Sequence, residues 1–149
     1  TDAADFCETS GRQAARSALA CAREIGQPTG TAIYFAVDYD PIREEVDSGI
    51  TRYFRAVREE LGAAGMRVGV YGSGLTCETL LDNALADFAW LSLSPHYRRH
   101  GEFYDSGRWA IAQQPTRTNP FDHDPCELTS DAAGHGAFVL PGAGPRRAT

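Results

Sequence analysis

A short, uniformly apolar segment constrains the fold of this chain more than any other feature. Residues 32–37 (AIYFAV) are small, β-branched or aromatic, and Asp38, Asp40 and Pro41 come directly after them. A strand that is apolar on both faces is typical of a parallel sheet covered by helices. Carboxylates are costly to bury unless they are paired or used. Two of them at the carboxyl end of such a strand therefore indicate an active site, because α/β folds place their sites there.

Further apolar runs predict the rest of the sheet. We predict strands at residues 32–38, 67–71, 88–93 and 109–113. They should be parallel neighbours in sequence order, since short strand–helix–strand crossovers favour adjacency and one hand. This alternation predicts one α/β domain over residues 1–140, and the Gly/Pro/Arg-rich residues 141–149 are expected to be a disordered tail.

Helical periodicity fills the segments between the strands. Helices are predicted at 11–25, 41–61 and 75–86. The second is the clearest, and the apolar residues at its 3.6-residue period are Val46, Ile50, Tyr53, Phe54, Val57 and Leu61. Asp40 lies one residue before Pro41, an arrangement typical of a helix N-cap. Asp40 therefore has two candidate roles, as a helix cap and as an active-site carboxyl.

The cysteines fit helix faces better than they fit metal or disulfide motifs. Cys21 is in step with Ala14, Ala18 and Ile25, and Cys77 is in step with Leu81, Ala84 and Phe88. These spacings predict that both thiols are buried and reduced, as small hydrophobic groups. The chain has no CxxC motif, which argues against a zinc site.

Charge excludes several classes of partner. The formal net charge is −6, which argues against a nucleic-acid backbone or an anionic membrane surface as the main partner. No apolar stretch is long enough to insert into a membrane. Every basic residue of the Lys/Arg class is Arg, so lysine chemistry is excluded. The chain starts at Thr1 with no recognisable signal peptide.

Polar side chains gather at the predicted carboxyl ends of the strands. They are Asp38, Asp40, Tyr71, Ser92 or Ser94, Gln113, Asp122 and Asp124. Carboxylates together with aromatic rings and an amide fit a neutral, polyhydroxylated substrate, because carboxylates can act as acid, base or nucleophile at a glycosidic bond. A divalent cation on the four aspartates is an alternative. Nucleotide binding at the turn 72–74 is a weaker one, since GSG lacks both the dinucleotide fingerprint and the Walker lysine. We expect no cofactor and no metal.

Several segments resemble one known family. They are AIYFAVDYDP, ELGAAGMRVGVYGSGLTCETLL, AWLS, and IAQQ followed by FDHD. These segments resemble the glycoside-hydrolase-like domain of unknown function family 1906, a relative of the family 25 lysozymes. The resemblance spans about residues 11–128 and implies a TIM-barrel-like parallel (β/α) fold. A full barrel needs roughly 250 residues and eight strands. The chain would then be the carboxyl-terminal part of an incomplete barrel that lacks the first strands, with an open sheet edge that another segment must cover.

The resemblance also implies roles for individual residues. In the lysozymes a D-x-E motif ends the fourth strand, so Asp38 matches the first acid and Asp40 takes the position of the general-acid Glu. Asp122 resembles the aspartate of the eighth-strand D-x-N pattern, with Asp124 in place of the Asn, and the resemblance assigns it a catalytic role. Asp for Glu shortens the acid by one methylene, and the displacement of about an ångström could cost on the order of a hundredfold in rate. The implied substrate-binding residues are Tyr39, Tyr71, Trp90, Gln113 and Asp124.

The sequence therefore predicts a glycoside hydrolase that acts on a peptidoglycan-like cell-wall glycan by carboxylate acid/base chemistry. The alternative is a non-catalytic module that binds an envelope glycan through a degenerate active site. Either function would place the protein in the cell envelope or among secreted proteins.

Overall fold

One five-stranded sheet organises the protein. The computed structural model describes residues 2–129 and 135–138. Its strands are β1 (Ala32–Ala36), β2 (Arg67–Gly72), β3 (Phe88–Leu91), β4 (Ile111–Gln113) and β5 (Cys126–Leu128), in the spatial order β1-β2-β3-β4-β5. The first four are parallel neighbours, and β5 pairs antiparallel with β4. The predicted α/β class and the parallel order of the four strands are confirmed, whereas β5 is not among the predicted strands.

Helical segments connect the strands. They are a 3₁₀ turn (Ala3–Asp5), α1 (Glu8–Glu24), α2 (Arg43–Glu45), a π-helical segment (Val46–Ile50), α3 (Thr51–Ala63), α4 (Gly74–Asp82) and α5 (His100–Asp105). The single helix predicted at 41–61 is thus α2, the π-helical segment and α3 in succession. Its predicted apolar face is confirmed, because Tyr53 packs partly buried against the core and the other apolar residues of that face are fully buried.

The main core lies between the helices and one face of the sheet. Side chains alternate along a strand, and Phe35 and Val37 point to the helical side together with Val70 of β2. Phe54 and Val57 of α3 pack into this core from the helical side and are fully buried. The opposite face of the sheet carries the complementary set of side chains, which forms the pocket described below.

The buried face of α1 differs from the predicted one. The buried residues are Gly11, Ala15, Leu19 and Ala22. The predicted stripe is correct only in part, because Ala14 and Ala18 pack partly buried against the core, whereas Cys21 is exposed and Ile25 is 54% exposed. A Cβ on Gly11 would lie 2.4 Å from the carbonyl oxygen of Tyr53. This close backbone contact with α3 fixes the rotation of α1 one residue ahead of the predicted stripe.

Cys77 behaves as predicted. It is fully buried in α4 with a free thiol, and burial raises its pKa to about 12. The rest of the predicted face is only partly correct. Leu81 is half-buried, Ala84 is exposed after the end of α4, and Phe88 belongs to β3.

The free edge of β1 is covered at its beginning. The backbone N–H of Ala32 donates to the carbonyl oxygen of Gly136 at 2.9 Å, and the Tyr34 hydroxyl donates to the carbonyl oxygen of His135 at 2.9 Å. His135 and Gly136 therefore lie at the edge that the incomplete-barrel interpretation leaves open. The predicted tail, 141–149, lies outside the described residues. Among the described helices, none is long and apolar enough to cross a bilayer.

Candidate functional site

A pocket of about 470 Å³ opens on the sheet face that is opposite the helices. It is lined by Tyr34, Ala36, Asp38, Tyr71, Trp90, Gln113 and Asp124. The sheet register explains the grouping, because Ala36 pairs with Tyr71 and Tyr71 pairs with Trp90 on adjacent parallel strands. Asp38 follows β1 and Gln113 ends β4, so the polar groups lie at the carboxyl ends of the strands.

Three aromatic rings form the wall of the pocket. The ring of Trp90 makes edge-to-face contacts with Tyr34, at 6.0 Å between centroids, and with Tyr71, at 5.4 Å. A Cβ on Gly69 would lie 2.4 to 2.6 Å from ring atoms of Tyr34. The absence of a side chain at Gly69 therefore lets the Tyr34 ring lie against β2. The rings hold one another in place and offer apolar surface to a ligand.

A chain of hydrogen bonds crosses the pocket. The Tyr71 hydroxyl and the backbone N–H of Leu93 both donate to Oε1 of Gln113, at 3.0 and 3.2 Å. Nε2 of Gln113 donates to Oδ2 of Asp124 at 3.2 Å, and the Thr116 hydroxyl lies 2.5 Å from Oδ1 of Asp124. Both oxygens of Asp124 thus have donors, which fixes the position of this carboxylate.

Asp38 is the freer carboxylate of the pocket. Its side chain is exposed and makes no hydrogen bond or ion pair with another described residue. The pKa of Tyr71 is raised, first by burial and then by nearby acidic groups, of which Asp38 has the largest effect. The Tyr71 phenol therefore stays protonated and keeps donating to Gln113 at neutral pH. Asp38 is left available to accept hydrogen bonds from a ligand.

Asp40 is held outside the lining of this pocket. Its carboxylate accepts the backbone N–H of Arg98 at 2.8 Å and pairs with the Arg98 guanidinium at 2.5 Å. The predicted helix cap is wrong, because α2 begins at Arg43 and its N-cap residue is Ile42. Asp40 instead connects the segment after β1 to the loop between β3 and α5.

Two other predicted site residues also lie apart from the pocket lining. Asp122 is exposed in the loop that leads to β5. The Tyr39 ring lies 6.0 Å from that of Phe6, and its buried hydroxyl has no hydrogen-bond partner among the described residues. Burial raises the pKa of Tyr39. Strand alternation accounts for this position, since Tyr39 follows Asp38 and points to the other side.

The structure therefore brings together five of the predicted site residues, namely Asp38, Tyr71, Trp90, Gln113 and Asp124. The structure also places Tyr34 and Thr116 at this site, and neither residue is predicted from the sequence. Tyr34 has a signal in the sequence, because it lies two and four residues before Ala36 and Asp38 and so shares their face. Thr116 has no such signal. It reaches Asp124 only through the pairing of the loop after β4 with the loop before β5.

The aspartates do not converge on a metal site. Across residues 2–129 and 135–138, no group of three or more His, Cys, Asp or Glu side chains is close enough to hold a metal ion. Asp40 faces Arg98, and Asp124 is bonded to an amide and a hydroxyl. The chemistry that this arrangement offers is hydrogen bonding, ring contact and carboxylate charge.

Comparisons with known proteins show the family of this chain and two relatives of similar sequence. A family model described as an Rv2525c-like, glycoside hydrolase-like domain matches residues 1–129. The protein YbfG of Bacillus subtilis is 31% identical over 116 residues, which is 72% of this chain and 16% of YbfG. FadG of the same organism is 28% identical over 90 residues, which is 58% of this chain and 16% of FadG. The chain thus spans a small part of either relative.

Solved structures show the same fold. The Tat-secreted protein Rv2525c of Mycobacterium tuberculosis, in complex with HEPES, is 22% identical with a TM-score of 0.70, and the match covers 88% of this chain and 62% of that one. The same protein in complex with L-tartrate is 20% identical with a TM-score of 0.68, covering 88% and 63%. The chain therefore spans less than two thirds of these relatives. These matches show the shared fold, and the family model confirms the resemblance to the glycoside-hydrolase-like family.

Proposed function

Because the chain belongs to the Rv2525c-like, glycoside hydrolase-like domain family, we propose that its pocket binds a glycan of the cell envelope. The family indicates a glycan-related role. The observation that carries the proposal is the pocket itself, in which Tyr34, Tyr71 and Trp90 stand beside Asp38, Gln113 and Asp124. Binding sites commonly combine an apolar, aromatic lining with a few convergent polar groups.

Each side of a sugar ring has a counterpart in this pocket. The apolar aromatic wall suits the C–H face of a pyranose. The aromatic side chains are already fixed by their neighbours, so they lose little conformational entropy when the sugar stacks on them. Asp38 has unoccupied oxygens that can accept hydroxyl groups at the rim of the sugar. Gln113 and Asp124 are fixed by their own hydrogen bonds, so they position the ligand without first rearranging.

Hydrolysis of a peptidoglycan-like glycan is the second candidate function. It is favoured by the presence of two carboxylates, Asp38 and Asp124, in one pocket. A glycosidase needs one carboxyl that transfers a proton and a second that acts as base, nucleophile or stabilising charge. We assign proton transfer to Asp38, because both oxygens of Asp124 already accept hydrogen bonds. The ion pair with Arg98 makes Asp40 a poorer candidate for this step than Asp38.

The proposal also concerns location. One structural relative is described as Tat-secreted. That description supports a role outside the cytoplasm, where a cell-wall glycan is accessible.

Calorimetric titration with soluble peptidoglycan fragments tests the proposal. The wild-type chain should bind, Trp90→Ala should weaken binding by about tenfold or more, and Trp90→Phe should recover part of the affinity. Asp40→Asn should bind like the wild type, because Asp40 is not part of the pocket lining. Absence of binding by a folded wild-type chain would refute the proposal.

The same ligands, with Asp38→Asn added to the variants, separate binding from hydrolysis. Release of reducing ends by the wild type that disappears in Asp38→Asn while binding persists would establish the hydrolase. Binding without any release would leave the envelope-glycan-binding module as the function.

A further inference from the structure

Among the described residues, the charged side chains that line the pocket have one sign. They are the carboxylates Asp38 and Asp124, and no Arg or His of residues 2–129 and 135–138 is part of the lining. His135 meets the lining residue Tyr34 through its backbone carbonyl oxygen. The groups whose charge raises the pKa of Tyr71 are Asp38, Tyr97, Asp124 and Cys126, all of which become negative on ionisation. Arg98, in the loop after β3, is already paired with Asp40. A negative group on a ligand would therefore meet no matching charge in the lining, whereas a positive group would.

The aromatic wall also favours a positively charged group on the ligand. The faces of aromatic rings carry negative potential and attract organic cations, most strongly where the cation is removed from water. Tyr34, Tyr71 and Trp90 supply such rings, and their mutual edge contacts fix them in place. Aromatic rings are used in this way to bind quaternary ammonium ligands, and a carboxylate beside the rings adds a charge of the opposite sign.

Asp38 is the group best placed to take the cation. It lines the pocket, is exposed, and has no hydrogen bond or ion pair with another described residue. An ammonium group could therefore pair with it without breaking an existing contact. Asp124 adds negative charge from the opposite edge of the sheet while its oxygens remain bonded to Gln113 and Thr116.

We infer that the pocket selects an amino sugar whose nitrogen is free and positively charged, in preference to the N-acetylated form of the same sugar. The inference rests on the proposed glycan binding and names its substrate class, a de-N-acetylated glycan. The ammonium group pairs with Asp38, and the C–H face of the sugar lies on the aromatic wall. Acetylation removes the charge and adds bulk where the carboxylate stands.

Titrations with three defined probes test the inference. The probes are the glucosamine tetrasaccharide, the N-acetylglucosamine tetrasaccharide and choline, each added to the full chain at slightly acidic pH. The glucosamine tetrasaccharide should bind about tenfold tighter than the acetylated one, the ratio expected for one charge-assisted hydrogen bond. Asp38→Asn should reduce this ratio to within about twofold.

Asp47→Asn is the matched control, because it removes the same charge from an exposed helix position next to Arg43, outside the pocket. It should retain the full preference, and it separates recognition in the pocket from general attraction to an acidic protein. Circular dichroism of each variant shows whether it is folded.

Each other outcome is decisive. Equal affinity for the two tetrasaccharides would overturn charge selection while leaving glycan binding intact. Binding of neither tetrasaccharide would overturn the inference, and the peptidoglycan titration described above would then decide whether glycan binding stands. Choline that binds as tightly as the glucosamine tetrasaccharide would replace the amino sugar by a simple ammonium ligand. Loss of the preference in Asp47→Asn as well would attribute it to net charge and overturn the inference.

Discussion

Gln113 connects the side chains of the pocket into one hydrogen-bonded chain. Its amide oxygen accepts from Tyr71 and Leu93, and its amide nitrogen donates to Asp124. The next residue, Gln114, has the same side chain, but among the described residues that side chain donates a hydrogen bond only to the carboxylate of Glu127. The two adjacent glutamines thus differ in their hydrogen-bond partners, so variants of the two can be compared directly.

Gln113→Ala should weaken binding of a glycan ligand by about tenfold, because Asp124 and Tyr71 lose the group that orients them. It should also lower the free energy of unfolding by about 1–3 kcal/mol, since the donors of Tyr71 and Leu93 lose their acceptor. Gln114→Ala should change stability by less than about 0.5 kcal/mol. Urea unfolding and calorimetry measure both effects. Equal behaviour of the two variants would contradict the role given to Gln113.

At individual positions the sequence predicts the pocket better than it predicts the roles of its carboxyl groups. Asp38, Tyr71 and Gln113 can be identified because each lies at the carboxyl end of a recognisable apolar run. Asp40 could not be placed, because its position is decided by Arg98, a residue 58 positions away along the chain. Such a pairing leaves no mark on local periodicity.

Among the secondary-structure elements, α1 and α3 depend on a close contact between their backbones. A Cβ on Gly11 would lie 2.4 Å from the carbonyl oxygen of Tyr53, whereas a Cβ on Gly62 would meet nothing within 4 Å. Gly11→Ala should therefore lower the free energy of unfolding by about 1–3 kcal/mol, the usual cost of overpacking. Gly62→Ala lies within α3 and should raise it by about 0.5–1 kcal/mol through helix propensity. Urea unfolding of both variants checks the pair, and a stabilising Gly11→Ala would refute this packing.

The same two helices are joined by charge. Glu60 of α3 accepts hydrogen bonds from Arg16 and Arg12 of α1, at 3.0 and 2.9 Å, and these bonds hold its pKa below the usual value. A carboxyl whose pKa is lower in the folded state stabilises the fold above its unfolded pKa and loses that effect as pH falls. Thermal unfolding from pH 7 to pH 3 should show that Glu60→Gln is less stable at pH 7 and loses less stability in acid. Parallel profiles for wild type and variant would exclude this contribution.

The hydrophobic pattern of the sequence predicts some secondary-structure elements and not others. Strands β1 to β4 could be predicted because apolar runs between helical patterns have few alternatives. Strand β5 could not, because its three residues are all exposed and show no alternation. The orientation of α1 was ambiguous for a different reason. Small residues occupy both of its candidate faces, and the contact of Gly11 with α3 decides between them.

For the whole molecule, the sheet has two distinct sides. Helices and the main core cover one side, and the pocket occupies the other, with His135 and Gly136 at the start of the β1 edge. The fold class follows from the alternation of strands and helices in the sequence. The composition of the pocket depends on strand register, which aligns Tyr34, Tyr71 and Trp90 on one face and cannot be read from any single segment.

The central claim, that this pocket binds a glycan, can be tested with the two tryptophans of the chain. Trp90 lines the pocket, whereas Trp109 is buried elsewhere with its indole N–H bonded to the carbonyl oxygen of Tyr104 at 2.9 Å. In a ¹H–¹⁵N spectrum each indole gives one signal, which Trp90→Phe assigns. During titration with a cell-wall oligosaccharide, the Trp90 signal should shift to saturation while the Trp109 signal stays in place. An unchanged Trp90 signal at ligand concentrations that saturate binding would contradict the account.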